Sequence, residues 1–293
     1  MATGVEVNRT SIGISPELSD VILQKTQEQS AVMRLARQIT LPGKGVDIPV
    51  ITSDPQAEWV AETGIKPVKT PGLNKKVMSA YKLAVIVPFS NEFRRDMAGL
   101  YDQIVQRIPL ALAYQFDQTV VGVVNKPGSN FDNLASAETQ EIGTDAYKGL
   151  AAADADIALN GGIMNGFALA PQGRGVLLSA TDQIGRPIFV NSAAEGAIPQ
   201  ILGCPVELAK GVYDGTNNVV GIAGDWTQAM YGTVEGVKLD YSEDASLVTG
   251  ESGAETMINL FQQNMFAVRA EIEIGFRADV DCFNLLTATP ESE

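Results

Sequence analysis

The longest regular pattern of hydrophobic and polar positions lies near the C-terminus. From Val268 to Val280 every second residue is apolar, and the positions between hold charged residues and one glycine. A period of two over this length predicts a long β-strand with one face on a core and one charged face. Either solvent covers the charged face, or its mixed charges pair with adjacent strands or neighbouring molecules. Its candidate contact residues are Arg269, Glu271, Glu273 and Arg277.

A four-residue recurrence of apolar positions predicts a long helix in the middle of the chain. The recurrence follows Gly99, and its apolar stripe reaches Val123. Pro109 removes one backbone hydrogen bond, but the stripe persists on both sides of it. We therefore predict a helix that bends at Pro109 and does not end there. Shorter helices are predicted after Ser15-Pro16, around Val32 to Ala36, from Ser90 to Arg95 and over residues 144–159.

Two further strand patterns flank a long polar segment. Val46, Ile48 and Val50 alternate with Asp47 and Pro49, and the proline predicts an edge strand because it cannot donate a ladder hydrogen bond. Residues 53–76 contain many Pro, Gly and Lys residues, and residues 77–87 form a predicted returning strand. Together these segments predict an extended two-stranded arm. Such an arm is marginal alone and needs another surface to lie on.

Composition narrows the possible functions. The net charge of −14 argues against a dedicated nucleic-acid surface, which needs clustered Lys and Arg. The absence of histidine removes Ser-His-Asp and Cys-His catalysis and HExxH zinc sites, although carboxylate, Lys or Tyr chemistry is still open. Cys204 and Cys282 lack metal or redox spacing. With no apolar run near the ~20 residues that span a bilayer and no signal-peptide pattern, we expect a soluble protein made in a cytoplasm. We expect no catalytic residues, no metal and no cofactor.

Eight segments, in order from about Ile14 to Leu286, resemble the major capsid proteins of tailed double-stranded DNA bacteriophages with the HK97 fold. AEWVAETG resembles the Trp-Val-Glu stretch at the start of that family's extended loop. LALAYQFDQTVVGV resembles the end of its spine helix, with Asp117 and Gly122 in the usual places. LLSATDQIGRPIF resembles a recurrent turn, here Asp182, Gly185 and Arg186, and IAGDWTQAMYG resembles a Gly-Asp-Phe/Trp stretch, here Gly224, Asp225 and Trp226.

The resemblance implies an α+β, HK97-like capsid fold. Its parts would be an N-terminal arm, an extended β-hairpin loop, a peripheral domain with a long spine helix and long β-strands, and an inserted axial α/β domain. The frequent glycines between about 160 and 250 agree with such an insertion. The implied divisions are 1–45 for the N-terminal arm and short helices, 46–87 for the extended loop, 88–160 for the peripheral domain with the spine helix, 161–250 for the axial domain, and 251–293 for the peripheral C-terminal strand and tail.

The resemblance also implies the function and the partners. The chain would assemble with itself, as hexamers and pentamers, into an icosahedral phage head that encloses double-stranded DNA without reading its sequence. A separate scaffolding protein (or none), a portal and possible decoration proteins are the implied partners, since the segment before Ile14 is too short for a scaffolding domain. No membrane is implied. The location would be the virion, after assembly in the host cytoplasm.

The extended loop supplies the predicted inter-subunit contacts, and two other function classes stay open. The contacts would be Glu58, Trp59, Glu62, Lys66, Lys69, Lys75 and Lys76. Plain solvation of the lysines and burial of Trp59 in its own subunit are the alternatives. Some family members crosslink a loop Lys to a neighbour's Asn, but no residue marks such a Lys here. The other classes are an encapsulin-type cellular compartment of the same fold and a soluble enzyme with carboxylate chemistry.

Overall fold

A computed structural model describes residues 16–43, 45–53, 57–60, 62, 65–66, 68, 72–92, 97–182, 185–189, 200–249 and 256–289. The helices are α1 (Pro16–Gln29), α2 (Ala31–Leu35), α3 (Met97–Val121), α4 (Ala146–Leu159) and α5 (Pro171–Ser179). The strands are β1 (Arg37–Thr40), β2 (Val46–Ser53), β3 (Gly72–Met78), β4 (Tyr81–Ser90), β5 (Glu138–Glu141), β6 (Gly166–Leu169), β7 (Gln200–Ile201), β8 (Cys204–Leu208), β9 (Val219–Gly224), β10 (Ala229–Thr233), β11 (Lys238–Ser242), β12 (Ser246–Thr249), β13 (Thr256–Asn259), β14 (Met265–Ala278) and β15 (Phe283–Thr287).

The first of two main sheets is built on β14. This strand pairs with β4 from Met265 to Ile274, and it also pairs with β10 and β11 in a five-stranded sheet that β1 extends. Its apolar positions are buried, as the period of two predicted. The predicted charged, exposed face does not continue to the end of the strand, because Arg277 is buried by contacts with other segments. The strand also ends before Val280, since residues 280–282 turn away from the sheet as a 3-10 helix.

The second main sheet has six strands in the order β5-β15-β9-β6-β8-β7. Helices α4 and α5 cover one of its faces, where Leu150, Ile157 and Leu177 share a core with Phe167 of β6. Residues from both sides of the predicted limits at 160 and 250 therefore lie in one sheet and its helices. The predicted domain limits themselves stay a prediction.

Helix α3 connects the two sheets. It is continuous through Pro109, so the prediction that this proline does not end the helix is confirmed, and the bend stays a prediction. Ile108, Leu112, Phe116 and Val120 are buried at four-residue spacing. Phe116 packs edge-on against Phe276 of the first sheet, in the same core cluster that holds Ile222 and Leu285 of the second. The predicted short helix from Ser90 lies partly outside the described residues, which omit 93–96.

The arm consists of β2 and β3, which pair with each other in a separate two-stranded sheet. The prediction of one returning strand over residues 77–87 was wrong. That stretch is divided at Ser79 and Ala80: β3 ends at the buried Met78, and β4 then joins β14. The division arises because β4 packs its alternate residues Leu83, Val85 and Val87 on the core of the first sheet, while β3 leaves that sheet with β2.

Candidate inter-subunit surfaces and the junction beneath them

The tip of the arm exposes apolar side chains to an unusual degree. Trp59 is 104% exposed, Ile65 is 96% exposed and Val68 is 94% exposed. These side chains make almost no contact with their own chain, so the alternative that Trp59 is buried in its own subunit was wrong. Large apolar groups grouped on one exposed segment are typical of an interaction site. Glu58, Glu62 and Lys66 are also exposed, and Lys69 lies outside the described residues.

Two of the predicted contact lysines have partners at the base of the arm. Lys75 Nζ lies 3.3 Å from Asp47 Oδ2, which joins the two strands of the arm across an exposed surface. Lys76 Nζ donates to the carbonyl oxygen of Ala278, 3.2 Å away at the end of β14. Exposed ion pairs of this kind contribute little stability. An inter-subunit role for these two lysines stays a prediction.

A buried arginine fixes the arm to the first sheet. Arg277 Nη1 lies 2.6 Å from Asp132 Oδ1, and Arg277 Nε donates to the carbonyl oxygen of Val77 at 2.8 Å. Arg277 Nη2 donates to Asn130 Oδ1 at 3.2 Å, and Asp132 Oδ2 accepts from the Ala278 N–H. Arg277 thus connects β14, the end of β3 and the loop after α3. The sequence pattern marked Arg277 but not Asp132, since the two are 145 residues apart.

The other charged residues of β14 form ion pairs with neighbouring strands or within β14 itself. Arg269 Nη2 lies 2.6 Å from Asp240 Oδ2 on β11, and Arg269 Nε lies 3.0 Å from Glu271 Oε1. Glu273 Oε1 lies 3.5 Å from Lys82 Nζ on β4. All of these groups keep part of their surface exposed. Pairing within the chain, one of the two possibilities left by the sequence, therefore occurs here, and contacts with other copies stay a prediction.

The predicted turn of Asp182, Gly185 and Arg186 is closed by hydrogen bonds. The Arg186 N–H donates to Asp182 Oδ1 at 2.8 Å, and the Gly185 N–H donates to the Asp182 carbonyl at 3.0 Å. Gly185 has φ of +81°, a conformation that favours glycine. The motif therefore has a local structural reason. Whether it contacts another subunit stays a prediction.

A buried carboxylate joins the N-terminal helices to the end of α3. Asp117 Oδ1 accepts from Ser30 Oγ at 2.5 Å, and Asp117 Oδ2 accepts from the Ala31 N–H at 3.2 Å. Ser30 Oγ in turn accepts from the Met33 N–H and caps α2. Asp117 is 1% exposed. Burial raises the pKa of Asp117 from 3.8 to about 7, although the hydrogen bonds from Ser30 and Ala31 act in the opposite direction.

The next residue attaches the same helix to the second sheet. Gln118 Nε2 donates to the carbonyl oxygens of Gly211 and Tyr213, at 2.9 Å and 2.8 Å. The helix ends at Val121, and Gly122 follows it with φ of +103° and an N–H that donates to the Gln118 carbonyl. Family resemblance had marked Asp117 and Gly122, but the sequence did not indicate Ser30 as the partner. The two residues are 87 positions apart.

Asp225 organises the turn before β10. It accepts hydrogen bonds from Thr227 Oγ1 at 2.6 Å, from the Ile163 N–H at 3.0 Å and from Asn165 Nδ2 at 2.8 Å. Partial burial acts to raise the pKa of Asp225, but these hydrogen bonds outweigh it and lower the pKa. Trp226 follows and is buried, with its indole N–H donating to the Gly166 carbonyl. The Gly-Asp-Trp stretch therefore serves the fold between the two sheets.

The part of the chain that the structure describes contains no group of His, Cys, Asp and Glu residues able to hold a metal ion. Within the same residues, no helix is both long enough and apolar enough to cross a membrane.

An exposed apolar arm tip, a long connecting helix and two sheets are typical of a structural subunit. The chain belongs to the phage capsid family, which it matches over residues 10–279. The prediction of an HK97-like capsid fold is confirmed, and so is the prediction of a structural protein and not an enzyme. The names of the relatives favour neither the encapsulin nor the enzyme alternative.

Proteins similar to this chain align with nearly its whole length. The probable major capsid protein gp17 of Mycobacterium phage L5 is 27% identical over 297 residues, which cover 96% of this chain and 90% of the relative. The major capsid protein of Staphylococcus phage 80alpha is 26% identical, covering 88% and 79%. Among solved structures, a chain from Gordonia phage Cozz is similar with a TM-score of 0.71 and 23% identity, covering 90% of this chain and 88% of that one. A capsid chain of a native GTA particle has a TM-score of 0.60 and 15% identity, covering 98% and 95%.

Proposed function

We propose that this chain is the major subunit of an icosahedral phage head, in which hexamers and pentamers enclose double-stranded DNA. The observation that carries the proposal is the arm tip: Trp59, Ile65 and Val68 are almost fully exposed in the isolated chain. Membership of the phage capsid family supports the same conclusion. Each Å² of apolar surface that the tip exposes to water costs about 25 cal/mol of free energy. Contact with another copy would remove that cost.

Several weak contacts per subunit would sum in a closed shell. The arm and the edges of the two sheets would each meet a different neighbour. Stable interfaces bury ~1,200 Å² or more, and contacts made together reinforce one another by raising the effective concentration of the next contact. In this proposal the second sheet with α4 and α5 belongs to the axial domain around the five- and six-fold axes. The first sheet with α3 belongs to the peripheral domain.

The proposal includes partners and a location. The shell would form in the host cytoplasm, and its final place would be the virion. A separate scaffolding protein, a portal and decoration proteins are the proposed partners, and the DNA would be enclosed without sequence-specific contacts. The net charge of −14 agrees with a wall that does not grip the genome tightly.

Electron microscopy of the expressed protein tests the proposal. The full chain is produced alone and, in parallel, together with a candidate scaffolding protein. Closed shells, or rings of five and six copies, are the expected products. A stable monomer under both conditions would contradict the proposal. Shells that contain a cellular enzyme and no DNA during infection would favour the encapsulin alternative.

A further inference from the structure

A groove of about 620 Å³ runs between α3 and the segment that follows β8. Leu110 and Tyr114 on α3 and Leu208 at the end of β8 line it, and all three are large side chains that remain half-exposed. Arg107 and Lys210 stand at the same groove with exposed side chains. The groove is therefore largely apolar and has two cations beside it, while Gln29 and the buried Asp117 also line it.

The two cations of the groove, Arg107 and Lys210, form no ion pair within the described part of the chain, although the Asp117 carboxyl lies at the same groove. By contrast, Arg34, nearby on α2, pairs with Glu207 at 2.6 Å. Apolar walls with a few charged groups at the edge are typical of sites that receive an aromatic anchor flanked by opposite charge.

The floor of the groove is closely packed and hydrogen-bonded. Gly211 packs so closely on α3 that a Cβ there would lie 2.7 Å from the Cβ of Asp117. The Gln118 side chain donates to the Gly211 carbonyl at 2.9 Å, which holds the same two segments together. A site whose walls are fixed before binding loses less conformational entropy when it is filled.

The arm carries a segment of matching chemistry. Trp59 is flanked by Glu58 and Glu62, so a large aromatic ring lies between two carboxylates. Because Trp59 is fully exposed, it does not occupy the groove of its own chain. A buried indole typically removes 150–250 Å² from water.

We propose that the Trp59 segment of one copy docks in this groove of a neighbouring copy. The indole lies against Leu110 and Tyr114, and the carboxylates beside it pair with Arg107 and Lys210. The inference rests on the proposed shell function and deepens it, since it names the receptor for the arm. It also gives the half-exposed residues of α3 a partner.

Photo-crosslinking from the groove identifies its occupant. Tyr114 is replaced by p-benzoylphenylalanine, a conservative aromatic change, and shells are assembled from a mixture of ¹⁵N-labelled and unlabelled chains. After illumination we expect crosslinked peptides that join position 114 to residues 57–66. Pairs of one ¹⁵N-labelled and one unlabelled peptide would show that the crosslink joins two different chains. Crosslinks to residues 1–15, to any other segment or to the same chain would overturn the inference.

A charge exchange tests the pairing independently. Arg107→Glu with Lys210→Glu should lower the yield of shells about tenfold, because like charges then meet in every copy of the contact. Adding Glu58→Lys and Glu62→Lys should restore most of that yield. Lys126→Glu with Lys148→Glu makes the same change of net charge away from the groove and should leave the yield within twofold of wild type.

The outcomes separate the inference from the proposed function. If the groove variant assembles normally while Trp59→Ala does not, the arm acts in a shell but docks elsewhere, and the inference fails alone. A groove variant that assembles poorly and is not rescued by the loop exchange also overturns the pairing, provided that circular dichroism shows it folded. If wild-type protein never assembles, the proposed function fails and the inference falls with it.

Discussion

Replacing Asp117 by Asn should remove a large part of the pH dependence of stability. The pKa of Asp117 is raised by burial to about 7 in the folded chain, compared with 3.8 for an exposed aspartate. Between these values the folded state holds a proton that the unfolded state has lost, so the free energy of unfolding falls as the pH rises towards 7 and is level above it. Stability from this group is therefore fully present below about pH 4.

The magnitude follows from the two pKa values. One pKa unit corresponds to ~1.4 kcal/mol, so the difference between 3.8 and about 7 corresponds to ~4 kcal/mol lost between those pH values. The positive charge of Arg34 on α2 and the hydrogen bonds from Ser30 and Ala31 lower the pKa of Asp117, so they oppose the effect of burial. An Asn side chain cannot ionise, but it has only one acceptor oxygen for those two donors. The variant should thus lose about 1 kcal/mol at pH 4.

Urea unfolding of the unassembled chain between pH 4 and 8 measures the effect. Trp226 is buried and Trp59 is exposed, so the change in fluorescence reports mainly on Trp226. The stability of Asp117→Asn relative to wild type should rise by ~4 kcal/mol from pH 4 to pH 8, and the two curves should cross. Ser30→Ala removes a hydrogen bond that lowers the pKa, so it should move the wild-type transition to higher pH. Parallel curves for wild type and Asp117→Asn would show that Asp117 does not cause the pH dependence.

Three further substitutions test the arm and the end of the spine helix. Arg277→Met should destabilise the chain by about 3 kcal/mol, because it leaves the Asp132 carboxylate without its partner; Arg269→Met, on the exposed face of the same strand, should change the urea midpoint far less, and equal shifts would contradict the role of Arg277. Gly122→Ala should lower stability by 2–3 kcal/mol, roughly, since φ is +103° and the new Cβ would lie 2.5 Å from that of Ala135, and an unchanged thermal midpoint would be inconsistent with that strain. Trp59→Ala should leave the urea midpoint of the unassembled chain within about 0.5 kcal/mol of wild type, because Trp59 touches little of its own chain, while shell yield in sedimentation falls; a variant that assembles normally would remove Trp59 from the interface.

The sequence predicted the elements whose hydrophobic period is long. The period of two in β14 and the four-residue period in α3 each persist over several turns or residue pairs, so a single proline did not hide the helix. The division between β3 and β4 was missed for a physical reason. The alternation of apolar positions keeps its phase through Ser79 and Ala80, and a pattern of this kind cannot tell which sheet a strand joins.

The contacts that hold the candidate site together could not be predicted from hydrophobic periodicity. Ser30 reaches Asp117 and Asp132 reaches Arg277 only after the chain has folded, across 87 and 145 residues. Neither pair has a local spacing that marks it. The exposed tip was easier to predict, because a Trp between two glutamates in a long polar segment has no nearby core to enter. The groove that would receive it is formed by α3 and the end of β8, which are far apart in the sequence.

Cryo-electron microscopy of particles formed by the wild-type chain, expressed alone or with a candidate scaffolding protein, tests the proposed shell most directly. We expect closed icosahedral shells in which the arm of each subunit, with Trp59 at its tip, lies on a neighbouring copy. A reconstruction in which the arm folds back on its own subunit, or a protein that stays monomeric under every assembly condition, would contradict this expectation.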